Sequence, residues 1–198
     1  MELETSGEEA GYVPVDEQGL MGKITVPEAN QLDHEGFVRA FGSIYERSPW
    51  VAERAWEERT FEAPEDLRLA LRRAVGEAPR ERQLDLIRAH PDLAGKAAAA
   101  GELTPESERE QSAAGLDRLS PEEYERFTDM NAAYREKFGF PMVVYVREHT
   151  KDSILAQAEA RLANTSEQEV ETALEEIHKI AASRLEDLIA SEGEGGRR

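Results

Sequence analysis

The chain contains no cysteine. Disulfides, thiolate nucleophiles and cysteine-based zinc sites are therefore excluded. No apolar run reaches the roughly 20 residues of a membrane-spanning helix. The opening Met1-Glu2-Leu3-Glu4-Thr5 has neither a basic stretch nor an apolar core, so it does not read as a secretory signal. Positive charge is scarce: 24 Lys and Arg stand against 42 Asp and Glu, a formal net charge of -18. Such a surface repels nucleic acid and anionic membranes, and neither is an expected partner. Any anionic substrate would need a basic group placed locally to hold it. Only four histidines occur, His34, His90, His149 and His178, with no i, i+4 pair and no His-Glu-x-x-His motif. Glycine-rich loops after a strand and Gly-x-Ser-x-Gly elbows are also missing. No resident metal is expected.

What is present is helical periodicity. At 198 residues the chain can bury one substantial core. Residues 1–30 are rich in Glu and Gly, carry Pro14 and Pro27, and show no sustained apolar period. They are expected to form a flexible tail or a loosely docked arm. Residues 31–190 form the expected domain, and residues 191–198 read as a frayed end. Within the domain, Asp33 can cap a helix carrying Phe37, Phe41, Ile44 and Tyr45. Ser48-Pro49 restarts the chain, with Ser48 as the expected N-cap. Pro64 opens a helix closed by Gly76, and Pro79 opens one that runs into His90-Pro91. Glu102 to Gly115 is a shorter helix with few bulky apolar residues. Ser120-Pro121-Glu122-Glu123 starts a helix that ends at Phe138-Gly139. Met142 to Val146 is apolar and β-branched but has no partner strand, so an extended buried segment is expected. Asp152 and Ser166 are the expected caps of two last helices. Short connections point to an all-α fold, a compact single-domain bundle of about eight helices.

Three features can carry chemistry. His90 precedes a proline, which disfavours the α conformation, so the helix should stop there. A histidine at such a break either caps the helix C-terminus or points into a cavity. Ser107, Glu110 and Gln111 stand at i, i+3 and i+4 and share a helix face. That face is either solvated or a wall for a polar ligand, since it offers complementary donors and acceptors. Arg184 lies inside the stripe of Val170, Leu174, Ile177, Ala181, Leu185 and Leu188, between Ile180 and Leu188 on the helical wheel. A buried arginine needs a carboxylate or an anionic ligand beside it. Arg161 sits at the edge of the Ile154, Ala158, Leu162 stripe and could reach out to solvent. Together these features could form an acid–base site for a small anion.

The same features occur together in a known family. The chain resembles the decarboxylases of 2-oxo-4-hydroxy-4-carboxy-5-ureidoimidazoline (OHCU), which act in urate breakdown. The resemblance runs from about Gln31 to Ile189. It is carried by Asn30-Gln31-Leu32-Asp33, Ser48-Pro49-Trp50-Val51-Ala52-Glu53 and His90-Pro91-Asp92-Leu93-Ala94-Gly95. It continues through the stretch Ser107 to Asp117, Phe138-Gly139-Phe140-Pro141, Arg161-Leu162-Ala163-Asn164 and Ile180 to Leu185. Two words depart from the family: Arg59-Thr60-Phe61 where Arg-Pro-Phe is common, and Met142 where Phe is common.

The resemblance implies an all-α homodimer, without cofactor or metal, that takes a small anionic ureidoimidazoline. It implies His90 as proton donor, Glu110 as its catalytic partner and Arg184 as the site arginine. Pro91, Ser107, Glu108, Arg109 and Gln111 would line the substrate. Met142, Val143, Val144, Tyr145 and Val146 would add backbone contacts. The expected reaction is loss of CO2 with protonation of one face, giving (S)-allantoin. The C-terminal Gly-Arg-Arg is not a peroxisomal address, and a cytoplasmic location is expected. Two rivals remain at this stage: a non-catalytic helical module that binds ureide-pathway enzymes, and a decarboxylase of another carboxylated heterocycle.

Overall fold

The computed structural model describes residues 23–95, 98 and 100–190. Among them the chain forms nine α-helices: α1 (Val26–Gln31), α2 (His34–Phe41), α3 (Trp50–Trp56), α4 (Pro64–Gly76), α5 (Arg80–Ala89), α6 (Pro105–Ala113), α7 (Pro121–Phe138), α8 (Lys151–Arg161) and α9 (Ser166–Leu188). A single 3-10 turn, Val146–Glu148, precedes α8. The only β-type pairing among the described residues is an isolated parallel bridge between Ile24 and Ile189. None of these helices is long and apolar enough to cross a membrane.

Most helix starts follow from local side-chain chemistry. Thr25, Asp33, Thr104, Ser120, Thr150 and Thr165 each accept a backbone N–H from the first turn of the helix they precede. Thr25, Ser120 and Thr165 complete capping boxes with Glu28, Glu123 and Gln168. Three expected caps are displaced. Thr150 and Thr165 take the places expected of Asp152 and Ser166, which fall inside the first turns. Pro49 takes the N-cap of α3 without a side-chain bond, while Ser48 is buried and only its carbonyl accepts from Val51.

The tail expected over residues 1–30, flexible or loosely docked, is firmly docked at its inner end. Residues 1–22 lie outside the described residues. Residues 23–30, however, belong to the fold. Ile24 donates its N–H to the Leu188 carbonyl at 2.9 Å and accepts from Ala190 at 2.9 Å. Asn30 exchanges two hydrogen bonds with the Phe61 backbone, at 2.8 and 2.9 Å. Ile24 and Ala29 are fully buried. This stretch was missed because a six-residue helix shows too little periodicity to register.

The core is continuous, with Phe37, Phe41, Leu67, Leu71, Phe127, Tyr134 and Phe140 among its largest side chains. Helix α3 packs on α2 and α4, α9 on α4 and α5, and α7 on α8. At 23 residues α9 spans about 34 Å and is the longest helix among the described residues. Gly139 caps α7 in the left-handed region at φ 75°, where a side chain would be strained. Pro141 has no N–H to continue α7, and the chain enters the extended, largely buried segment Met142 to Tyr145, with Val146 opening the 3-10 turn.

A buried ionic cluster holds that segment. Glu169 on α9 is fully buried and accepts from Arg161, from Tyr134 and, at 2.9 Å, from Asn164. Arg161 does not reach solvent as its stripe-edge position allows. Its Nη1 donates to the Val143 carbonyl at 2.8 Å. From the other side Glu176 accepts the Tyr145 N–H at 2.7 Å. Removing Glu169 would leave the Arg161 charge buried and unpaired. Glu169→Ala should destabilise the protein by ~3–5 kcal/mol, read as a lower midpoint in urea unfolding. A loss below ~1 kcal/mol would show that the cluster is not needed to hold the fold.

Candidate active site

His90 ends α5. Its backbone is extended, at φ -72° and ψ 140°, as the following proline requires. The side chain turns back under the helix, and Nδ1 lies 2.9 Å from the Leu86 carbonyl. A carbonyl can only accept, so Nδ1 carries the proton. In the neutral ring Nε2 then keeps its lone pair. Burial pushes His90 down to about 4. The Leu86 carbonyl and the charge of Glu46 oppose that shift, and Arg184 adds to it. At neutral pH this imidazole is therefore neutral.

Arg184 is 8% exposed, and each of its N–H groups has a protein partner. Its Nε and Nη2 form a fork to the Glu110 carboxylate at 2.7 and 2.8 Å. Nη1 donates to Glu46 at 3.2 Å and to the Ser43 carbonyl at 3.3 Å. Nη2 also reaches Ser107 Oγ at 3.3 Å. Burial alone would push Arg184 down, but Glu110 and then Glu46 more than offset it and hold the arginine up. One guanidinium against two carboxylates leaves this cluster with one net negative charge.

The loop after His90 is held from two helices. Gln111 Oε1 on α6 accepts the Ala94 N–H at 2.9 Å, and Asn131 on α7 donates to the Leu93 carbonyl at 2.9 Å. Arg135 holds the Asp92 carboxylate at 2.9 and 3.1 Å. Ala94 is fixed in the left-handed region at φ 50°. Such backbone, costly for a residue with a side chain, concentrates at functional sites.

These parts surround a cleft of about 430 Å³, counting its open mouth. His90, Glu110 and Arg184 all line it. So do Pro91, Ser107, Gln111 and the whole segment Met142, Val143, Val144, Tyr145 and Val146. Val144 presents an N–H and a C=O that have no partner among the described residues. Two expected lining residues fall outside. Glu108 and Arg109 are exposed, and Arg109 Nε bonds the Pro105 carbonyl of its own helix at 3.2 Å. Glu108 faces a different, wider cleft beside Ser112, Leu116 and Tyr124. The cause is helical: residues i+1 and i+2 from Ser107 turn away from the face that Ser107, Glu110 and Gln111 share.

Leu93 and Ile180 line the cleft and were not expected there. Ile180 could have been found, since it is i−4 from Arg184 on the same helix face. Glu46 had no signal. It is a charged residue in a charge-rich loop, yet it is 2% exposed and joins Arg184 to α6. One expectation about roles also changes. Glu110 is bonded to Arg184, and the Leu86 carbonyl is what orients His90. Among the described residues no three His, Asp or Glu side chains converge as metal ligands.

A sequence model of the OHCU decarboxylase family matches residues 30–186. The chain is 48% identical over 172 residues to the 2-oxo-4-hydroxy-4-carboxy-5-ureidoimidazoline decarboxylase of Haloferax volcanii, covering 87% of this chain and 100% of that one. It is 45% identical over 168 residues to the protein of the same name from Halalkalicoccus jeotgali, covering 85% of this chain and 93% of that one. Among solved structures it is similar to an (S)-allantoin synthase, with a TM-score of 0.68 and 32% identity over 84% of this chain and 54% of that one. With the family match spanning the helices that carry His90, Glu110 and Arg184, this chain belongs to the OHCU decarboxylase family.

Proposed function

We infer that this protein decarboxylates 2-oxo-4-hydroxy-4-carboxy-5-ureidoimidazoline to (S)-allantoin and CO2 in urate breakdown, with His90 as the proton donor. The observation that carries the reading is the shared cleft: a buried imidazole with a free Nε2 faces the same small volume as Glu110 and Arg184. The substrate is a carboxylate on a ring carbon. Loss of CO2 leaves the electron pair of the broken C–C bond on the ring. The adjacent C=N delocalises it, so the protein need not supply an electron sink. The substrate is an anion and CO2 is neutral, so each turnover consumes one proton, and that proton ends on a ring carbon. Its delivery from one fixed side sets the S configuration.

The charge balance of the site says when the proton arrives. The cluster itself carries one net negative charge, and His90 is neutral. A substrate carboxylate entering beside His90 adds a second negative charge and raises the imidazole. Binding thus draws a proton onto His90, and the reaction then spends it. Arg184 limits the repulsion that the anion meets, and its long bond to Ser107 is the one most easily exchanged for a substrate oxygen. Glu110 keeps lone pairs free to accept the substrate hydroxyl. The free groups of Val144 suit the polar edge of the ring. The family resemblance further supports a homodimer, acting in the cytoplasm without a cofactor or metal. The rival of a protein-binding face is disfavoured, because Ser107 and Gln111 are buried and turned into the cleft.

Three measurements test this. The substrate is generated in place from urate, and optical rotation is followed with time. Rapid appearance of (S)-allantoin is expected, and a slow racemic trace sinks the reading. His90→Asn should keep the fold, because the amide can still donate to Leu86, while turnover falls by ~10²-fold or more. Binding of an unreactive carboxylated ring analogue should take up about one proton near neutral pH, seen as a buffer-dependent heat in calorimetry. Neutral allantoin should take up none, and equal uptake by both would remove the charge-balance argument.

A further inference from the structure

We propose that Glu46, in the loop between α2 and α3, is the positioning residue of the site: it fixes Arg184 and Ser107, and through that bonded cluster sets the charge that His90 meets. The proposal rests on the decarboxylase reading and adds a fourth polar group to it. The carboxylate is buried and accepts three hydrogen bonds from protein. Thr104 Oγ1 donates at 2.8 Å, Ser107 Oγ at 2.9 Å and Arg184 Nη1 at 3.2 Å. Thr104 is the N-cap of α6, so Glu46 joins the start of that helix to α9. Its bond to Ser107 takes the only hydroxyl proton of that residue. Ser107 can therefore only accept from a ligand, which narrows what the cleft recognises.

The backbone is shaped to put Glu46 there. Arg47, the next residue, is held in the left-handed region at φ 45°, one of two non-glycine residues of that kind among the described residues. The other is Ala94, in the loop that follows His90. Tyr45 and Glu46 diverge onto α9: Tyr45 OH bonds His178 Nδ1 at 2.9 Å, and Glu46 bonds Arg184. The charged groups that act on His90 are Glu46 from this loop and Arg184 from α9, with opposite sign. Glu110 of α6, bonded to Arg184 through both oxygens, is not among the charges that act on His90. The counter-charge for His90 is thus assigned to Glu46, with Glu110 left to face the ligand.

Glu46→Gln keeps the shape and removes the charge. The imidazolium of His90 becomes harder to form, while Arg184 meets an incoming anion with one carboxylate fewer around it. The expected result is a kcat lowered roughly 10- to 100-fold with KM unchanged or lower. NMR titration of His90 in the complex with the unreactive carboxylated analogue should show a lower midpoint than in wild type. A residue that merely braces the fold would instead raise KM and leave the midpoint in place. A Glu46→Gln enzyme with kcat within about twofold of wild type and an unmoved His90 midpoint overturns the proposal. Should that variant not fold, Glu46→Asp keeps the charge but draws it back from Arg184 and Ser107. It should lower kcat with a near-wild-type His90 midpoint, and an unchanged kcat would overturn the positioning role. If the wild type itself does not accelerate the reaction, the decarboxylase reading fails, and the titration still decides the counter-charge assignment by itself.

Discussion

A guanidinium set in an apolar seam has to be neutralised where it stands, and Arg184 organises the molecule around that need. It sits on the face of α9 that packs inward, so its partners must come from other elements. Glu110 comes from α6, Glu46 and the Ser43 carbonyl from the loop after α2. Three parts of the chain far apart in sequence are thereby fixed against one planar group. A fork with defined directions does this better than apolar packing, because it fixes angle as well as distance. The arrangement is held together only as a whole, since losing one carboxylate leaves charge unbalanced in a dry place.

The second buried cluster repeats the device for backbone instead of side chains. Met142 to Tyr145 belongs to no helix, so its N–H and C=O groups need partners or a ligand. Arg161 takes the Val143 carbonyl and Glu176 the Tyr145 N–H, both from the helices behind the segment. The groups of Val144 between them are left to the cleft. The extended segment is thus held from behind while the N–H and C=O of Val144, one from each of two adjoining peptide units, stay available. Rigid elements carrying a few unpaired polar groups make a pre-formed site, and such a site wastes little binding energy on ordering itself.

How much of this could be read from the sequence depended on whether a feature was periodic. Helices with a long apolar stripe or a Ser-Pro-Glu-Glu start, such as α4, α7 and α9, were legible. So was Arg184, because it broke a stripe. Helix α1 was not, since six residues give less than two turns of pattern. Glu108 and Arg109 were placed in the site because a matched stretch of sequence does not say which residues of a helix turn inward. Glu46 was invisible for the opposite reason. Its partners Thr104, Ser107 and Arg184 lie 58, 61 and 138 positions away, and no local spacing encodes a contact of that range. The sequence alone left His90 open as either a cap or a catalyst. The structure shows it at the end of α5 and also lining the cleft.

The acidity of the chain sharpens the problem that the site solves. With a formal net charge of -18, the surface repels the anion that the enzyme must capture. Beyond about 10 Å this repulsion is screened at 0.1 M salt, so it weighs on the approach and little on the bound state. Inside the cleft, screening is lost and the local charges decide. A single free arginine there would bind the substrate carboxylate tightly and stabilise the state before CO2 leaves, which lowers KM without speeding the chemistry. Tying Arg184 to two carboxylates removes that excess. In the proposed mechanism the anion is then held by a group whose charge is largely spent, next to a buried histidine that takes up its proton only when the anion adds its own charge. As CO2 departs, negative charge moves from the carboxylate into the ring, and in the proposed mechanism the proton on His90 follows it. The electrostatics thus favour the species that forms over the one that binds, which is what a decarboxylase without an electron sink requires.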